Sequence, residues 1–147
     1  MDPARVAELE RRLGHRFRDP DLLARACTHA SYANEHPPAA SHESLALLGD
    51  AALALVVAEH LLVEDPAAPV GVLTPRRAEL VSGERLARWA AALDLGALLR
   101  LGRGEAQTGG RARDSILATA LEAILGAIYL EAGLPAVRAT VGRLALW

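Results

Sequence analysis

The sequence has little of what several protein classes require. It contains one cysteine, Cys27, which excludes a disulfide framework and any zinc or iron–sulfur site built on several cysteines. Only 3% of its residues are aromatic, and all 16 basic residues are arginines. No uncharged apolar run reaches the roughly 18 residues of a membrane span, and the N-terminus has no apolar signal core. These absences predict a cytoplasmic protein without a membrane partner.

The remaining composition is that of one globular domain spanning residues 1–147. Hydrophobic residues make up 52% and charged residues 23% of the chain, which excludes a disordered or low-complexity polypeptide. Alanine and leucine dominate, and both favour helices. Apolar residues recur at helical spacing along most of the chain, and no alternating strand pattern is found. The sequence therefore predicts an all-α fold.

Capping residues and helix breakers divide the chain into helices and loops. The predicted helices cover residues 3–13, 20–27, 43–63, 74–82, 84–93 and 115–132, and Pro135 opens a last one after Gly133. Loops are predicted at 34–42 and 102–113. The helix over 43–63 is almost wholly apolar after Asp50, so we expect it to be central and buried on most sides. Gly49 and Gly126 are interpreted as points of close helix approach.

The charges are unevenly distributed although the net charge is only −2. No arginine lies between Ala26 and Pro75, and that segment is acidic. Between Arg100 and Arg113, in contrast, four arginines oppose one acid, Glu105. An acidic centre with basic flanks suits metal ions beside phosphates, whereas a mosaic of solvated helix faces produces the same pattern without any function.

Three acids are candidates for chemistry. Glu43 and Asp50 are seven positions apart, so they point the same way two turns apart on one helix. Glu122 interrupts an otherwise apolar helix. A magnesium-dependent phosphodiesterase needs a close group of hard oxygen ligands, and these acids meet part of that need. Alternatively, Glu43 is an acid favoured at a helix N-terminus and Glu122 a hydrogen-bonded buried residue.

Five segments, in order along the chain, resemble the ribonuclease III family. The run His42-Glu-Ser-Leu-Ala-Leu-Leu-Gly-Asp-Ala-Ala-Leu53 resembles the signature N-E-R-L-E-F-L-G-D-A-V-L. The other four segments are residues 28–32, 80–86, 101–105 and 115–130. They resemble, in that order, T-H-x-S-Y, L-V-S-E-E-R-L, L-G-x-G-E and S-I-L-A-D-A-F-E-A-x-x-G-A-I-Y-L. Within the first of these, His29 is interpreted as a hydrogen-bonded core or capping histidine, with RNA contact as the alternative.

The resemblance implies an all-α endonuclease domain that forms a two-fold dimer through its signature helices. Such a dimer would cut both strands of duplex RNA with Mg²⁺. The candidate RNA-phosphate contacts are then Arg76, Arg77, Arg103, Arg111 and Arg113. The family's double-stranded RNA-binding domain has no counterpart in these 147 residues. In that respect the sequence resembles the Mini-III type.

The sequence departs from the family where the metal should bind. Carried over by position, the family's four metal-ligating acids fall on Ala46, Asp50, Thr119 and Glu122. Two carboxylates are therefore missing. Asp50 and Glu122 remain as metal ligands, with Glu43 as the third acid of a remnant catalytic set. The family's further acid in an E-G-x-L segment falls in residues 70–73, which have no carboxylate. The resemblance thus implies weak or absent Mg²⁺ binding.

Three functions stay open at this stage. The leading hypothesis is a catalytically degenerate ribonuclease III-like homodimer that binds double-stranded or structured RNA, with a ribosomal partner and a heterodimer with an active paralogue as further options. The second is an active magnesium-dependent endoribonuclease of ribosomal RNA processing. The third is a dimerisation or protein-interaction module without RNA, which the net charge of −2 favours.

Overall fold

The computed structural model describes residues 1–145 and 147, and these residues form eight α-helices. The helices are α1 Pro3–Leu13, α2 Pro20–Ala26, α3 Ala30–Glu35, α4 Glu43–Glu64, α5 Val70–Leu80, α6 Gly83–Ala92, α7 Arg103–Gln107 and α8 Asp114–Leu144. Two short 3₁₀ helices cover Leu95–Leu98 and Gly110–Ala112. In the described part of the chain, β-type pairing is limited to one parallel bridge between Thr28 and Arg100. The predicted all-α fold is confirmed.

Side-chain caps set the starts of the first two helices; the stop at Gly14 and the cap at Asp19 agree with the sequence prediction, and the cap at Asp2 adds to it. The Asp2 carboxylate accepts a hydrogen bond from the Ala4 amide at 2.9 Å, and Gly14 ends α1 in the left-handed region at φ 69°. Asp19 accepts from the amide of Asp21 at 2.9 Å and so caps α2. These local bonds satisfy amides that have no partner inside the helix.

The core is built on the packing of α4 against α8, and α6 packs on α8 beside it. The two long helices are in backbone contact at two glycines. A methyl group added at Gly49 would overlap the carbonyl oxygen of Glu122, and one added at Gly126 would overlap the carbonyl oxygen of Leu45. The interpretation of both glycines as close-approach points is confirmed. The predicted break at Gly133 is also present within α8, at φ 76° and ψ −175°.

The expectation that α4 is buried on most sides is wrong. One face packs on α8, but Leu47 is 76% and Leu55 54% exposed, and Leu62 is exposed on the same side. By length and mean hydropathy, 1.9 for α4 and 1.5 for α8, both helices could cross a membrane, a test that core helices of soluble proteins also pass. In α8, 61% of the most apolar stretch is buried, against 39% in α4. The lower figure reflects the uncovered apolar face of α4.

Other boundaries also differ from the prediction, and α3, which ends inside the predicted loop at 34–42, has no predicted counterpart. Thr74 and Pro75 were expected to start a helix, but α5 begins at Val70 and contains Pro75. A proline inside a helix leaves the carbonyl four residues earlier, here that of Gly71, without its N–H donor. Since α5 buries none of its residues and Gly71 is exposed, water can satisfy that carbonyl. The predicted loop at 102–113 contains the short helix α7.

Candidate carboxylate site and nucleic-acid interface

The close packing of α4 on α8 brings Asp50 and Glu122 together. Gly49, the residue before Asp50, lies against the backbone of Glu122. Asp50 is exposed and Glu122 is half-buried. Burial, and then the negative charge of Asp50, raise the pKa of Glu122 to about 7. Such a pair favours a proton or a cation between the two carboxyl groups.

The two other positions that the resemblance assigns to metal ligands, Ala46 and Thr119, have no carboxylate to offer a metal ion. Ala46 is only 5% exposed and has no polar side chain. The Thr119 hydroxyl donates to the carbonyl oxygen of Ser115 at 2.8 Å, a bond within its own helix. In the described residues, no group of three or more His, Cys, Asp or Glu side chains is arranged to hold a metal ion. Because Mg²⁺ demands six oxygens, Asp50 and Glu122 fit at most one largely hydrated ion and not a four-acid centre.

Glu43 lies in a second group of side chains, with His29 and His42, which we call the histidine cluster. The His42 amide donates to the Thr28 carbonyl at 2.8 Å, so the start of α4 is tied to the segment that carries His29. The two imidazoles meet edge to face with centroids 5.8 Å apart. Burial is the main cause that lowers the pKa of both histidines, and the Glu43 charge opposes it. Glu43 thus acts on the histidines, whereas the charge that acts on Glu122 is that of Asp50.

Ser31 holds the His29 ring in place, and His29 is the N-cap residue of α3. This agrees with the interpretation of His29 as a capping histidine. Its Nδ1 accepts from the Ser31 amide at 3.1 Å and lies 2.8 Å from the Ser31 hydroxyl oxygen. That oxygen accepts in turn from the Gly102 amide at 2.8 Å. The spacing of His29 and Ser31 in the sequence hints at the cap, but the contact with residue 102 requires the fold.

Two of the five arginines predicted to contact RNA have structural partners. Arg111 donates to the carbonyl oxygens of Gly96 at 3.0 Å and Leu99 at 2.6 Å. Arg113 pairs with Glu105 and donates to the Thr108 carbonyl at 3.0 Å. These bonds hold the segment before α8 in place. A role of either side chain toward RNA stays a prediction.

The other three arginines are less constrained. Arg76 lies 3.9 Å from the Glu64 carboxylate, a weak and exposed ion pair. Arg77 lines a cavity of about 210 Å³ between α4 and α5. Arg103 is exposed, and no described residue forms a hydrogen bond or ion pair with its guanidinium. Its guanidinium is therefore available to a phosphate.

Comparison with known proteins gives a consistent result. A family model described as ribonuclease-III-like matches residues 19–146. Ribonuclease 3 of Symbiobacterium thermophilum is 48% identical over 143 residues, which are 97% of this chain and 60% of that protein. Ribonuclease 3 of Azotobacter vinelandii is 50% identical over 138 residues, which are 94% of this chain and 58% of that protein. The chain thus spans about 60% of the length of these curated relatives.

Solved structures extend the likeness to the fold. A nuclease domain of ribonuclease III from Campylobacter jejuni matches with a TM-score of 0.88 and 39% identity, covering 95% of this chain and 94% of that one. It was described as structurally flexible in the region involved in dimer formation. A second structure of that nuclease domain gives a TM-score of 0.86 at 39% identity, covering 94% and 91%.

Proposed function

The chain belongs to the ribonuclease III-like family, and on that premise we propose that it is a catalytically degenerate homodimer that binds double-stranded or structured RNA. The observation that carries the proposal is the pairing of Asp50 with Glu122 alone, beside Ala46 and Thr119. Two carboxylates hold a hydrated Mg²⁺ weakly, and metal-assisted cleavage of a phosphodiester depends on an ion held firmly in place. Binding of RNA without efficient cleavage is the expected result.

The uncovered apolar face of α4 supports the homodimer. Leu47, Leu55 and Leu62 lie on one side of α4 and are exposed. A contiguous exposed apolar surface is typical of a protein interface. In a two-fold dimer the same face of both copies meets itself, so this one surface is sufficient. A heterodimer with an active paralogue would use the same face and would restore one complete site.

The RNA would be recognised by its backbone. Duplex RNA is read mainly through phosphates, 2′-hydroxyls and shape, which suits a chain with 3% aromatic residues. Arg103, Arg76 and Arg77 are the side chains that we expect to contact phosphates. A structured ribosomal RNA is the kind of target that this recognition allows.

Active cleavage in ribosomal RNA processing is the second candidate. It is favoured by identities of 48% and 50% to proteins named Ribonuclease 3, together with the retained Asp50 and Glu122. In this case the remnant set, with Glu43 as a third acid, would use a reorganised metal site. A dimerisation module without RNA is the third candidate. The net charge of −2 favours it, because a protein that binds RNA phosphates usually has a positive net charge.

A cleavage and binding assay on one long duplex RNA separates the three. The wild-type chain and an Ala46→Glu, Thr119→Asp double variant are compared with Mg²⁺ and then Mn²⁺. We expect salt-dependent binding by both and cleavage by the double variant only. An Asp50→Ala change added to the double variant is the control and should abolish the restored cleavage.

Each other outcome selects a different function. Cleavage by the wild type that is lost in Asp50→Ala means an active nuclease and contradicts the degenerate one. No binding to duplex RNA at any salt concentration contradicts both RNA-directed functions and leaves the dimerisation module.

A further inference from the structure

The histidine cluster presents one hydrogen-bond donor whose position is fixed. The Ser31 amide donates to Nδ1 of His29 at 3.1 Å, and the Ser31 hydroxyl oxygen, which accepts from the Gly102 amide, lies 2.8 Å from the same nitrogen. With Nδ1 an acceptor, the neutral imidazole has its proton on Nε2. Burial chiefly, against the charge of Glu43 and together with that of Arg113, lowers the pKa of the ring and so favours its neutral form. His29 therefore offers an N–H and not a charge.

The Nε2 atom is free to meet a ligand. No described residue forms a hydrogen bond with it. It is also absent from the buried unpaired atoms of the described residues, which are Nδ1 of His42 and Nε of Arg85. The ring cannot turn readily, because the buried His42 ring packs against it edge to face at 5.8 Å. The donor is thus oriented and open.

An acceptor lies next to this donor. The hydrogen bond of 2.8 Å from the His42 amide to the Thr28 carbonyl pairs the residues that directly precede Glu43 and His29. Glu43 is exposed, so its carboxylate is available to a ligand. Its charge acts on the His29 ring and opposes the lowering of the His29 pKa, while the charge of Arg113, which is paired with Glu105, acts on the same ring in the other direction. The cluster therefore combines a neutral N–H donor with a carboxylate acceptor, from different segments of the chain.

A ribose 2′-hydroxyl is the group on a nucleic acid that needs both partners. Its oxygen accepts and its proton donates, and it distinguishes RNA from DNA. A phosphate, in contrast, only accepts: the charge of Arg113 would attract it, but it has no proton to donate to the Glu43 carboxylate and leaves that acceptor unused. We propose that His29 and Glu43 together bind a 2′-hydroxyl of the duplex, with His29 Nε2–H donating to the oxygen and Glu43 accepting the hydroxyl proton. This role rests on the proposed RNA binding and adds to it a basis for selecting RNA over DNA.

The position on α4 is separate from the carboxylate pair. Glu43 and Asp50 are seven positions apart on α4, which corresponds to about 10 Å along the helix axis. The two groups lie on the same side of the helix. One strand of a bound duplex can therefore place a ribose at the histidine cluster and a phosphate near Asp50 and Glu122. RNA selectivity would thus survive the loss of the metal-binding acids.

The experiment compares duplexes that share the A-form but differ in the sugar. The dissociation constant is measured for a duplex RNA and for the same sequence with 2′-fluoro riboses, which keep a weak acceptor and lose the donor. The readout is the ratio of the two constants, because a change of protein charge shifts both affinities together. We expect wild type to prefer RNA, and His29→Asn and Glu43→Ala each to reduce that preference about fivefold, the size of one lost hydrogen bond.

The variants and controls are chosen to keep the fold. Asparagine is a good N-cap residue and retains the cap of α3 while it removes Nε2–H. Glu43 is exposed, so Glu43→Ala keeps the test decisive even where the other variant is unstable. The matched controls are His36→Asn, an exposed histidine directly after α3, and Glu79→Ala, an exposed acid on α5. Both controls should leave the ratio unchanged.

The outcomes separate this inference from the function on which it rests. Reduced preference in both test variants and not in the controls supports it. Equal binding of the two duplexes by wild type, or an unchanged ratio in His29→Asn and Glu43→Ala, overturns the 2′-hydroxyl role and leaves RNA binding intact. Failure of wild type to bind either duplex removes the proposed function itself.

Discussion

The two faces of α4 are both apolar, yet they are packed in opposite ways. On one face, Gly49 allows contact with the backbone of α8 and Leu53 is fully buried. On the other, Leu47 and Leu55 are 76% and 54% exposed. A single chain gains from burying the first face only. The difference indicates that the second face is kept apolar for contact with another molecule, which we propose to be a second copy of the chain.

The border between the two faces carries the remaining chemistry. Asp50 is exposed there, and the half-buried Glu122 reaches the same border from α8. Ala46 and Thr119, which the proposal interprets as positions of lost acids, lie at the same border beside the close-packed Gly49. The framework that positions the acids and the acids themselves can therefore be tested separately.

The largest effect is expected at the packed face. In Gly49→Ala the new methyl would overlap the Glu122 carbonyl oxygen, and backbone cannot move aside as a flexible side chain can. Overpacking typically costs 1–3 kcal/mol, and contact with backbone places this case at the upper end, about 3 kcal/mol or more. The free energy of unfolding, measured by urea denaturation, should fall by that amount.

Gly71→Ala on α5 is the matched control for that substitution. Nothing lies within 4 Å of a methyl group at Gly71. Alanine is a better helix former than glycine, so this variant should be as stable as wild type or more stable by about 0.5–1 kcal/mol. Equal stabilities of Gly49→Ala and wild type would mean that α4 and α8 are not in backbone contact.

The second effect concerns the uncovered face. Leu55→Arg places a charge in the middle of that face, and two-fold symmetry places it there twice. Burying unpaired charge is costly, so the dimer dissociation constant should rise about 100-fold or more while the far-ultraviolet circular dichroism stays unchanged. Sedimentation equilibrium measures the change.

Arginine at Ala91 provides the comparison for this variant. Ala91 is exposed on α6, which packs chiefly against α8. Ala91→Arg should therefore leave the dimer unaffected. A wild-type chain that is monomeric at every accessible concentration, or a Leu55→Arg variant that still dimerises, would show that this face of α4 serves another partner.

Local features of the fold can be predicted from the sequence, whereas the exposed face of α4 cannot. Asp2, Gly14 and Asp19 act locally, through bonds to near neighbours, so their caps could be predicted from residue type and spacing. An apolar run such as that of α4 does not reveal which of its sides another element covers. The expected burial of α4 failed for this reason.

The candidate site divides in the same way. Asp50 and Glu122 are found by periodicity and by the resemblance, but their mutual effect on the Glu122 pKa depends on contact between α4 and α8. The Ser31 hydroxyl that contacts His29 also accepts a hydrogen bond from the amide of Gly102, which is distant in sequence. Long-range contacts of this kind have no local signal.

The smallest effect is expected at the border, where Glu122→Gln removes an acid that burial opposes. Since the folded state raises the Glu122 pKa to about 7 from an ordinary value of 4.5, folding favours the protonated form. The contribution of Glu122 to stability is therefore most favourable at acid pH, decreases as the pH rises from about 4.5 to 7, and stays lower above that. A neutral glutamine avoids this cost, so at pH 8 the variant should be more stable than wild type by about 1–3 kcal/mol. This range is smaller than the full pKa shift implies, because solvent screens the half-buried side chain.

At pH 4.5 the two proteins should be equally stable, and Asp50→Asn at the exposed partner should stabilise the protein less than Glu122→Gln does. Urea denaturation at both pH values measures the difference. A variant no more stable than wild type at pH 8 would mean that a partner other than a proton, such as a bound cation, already balances the Glu122 charge.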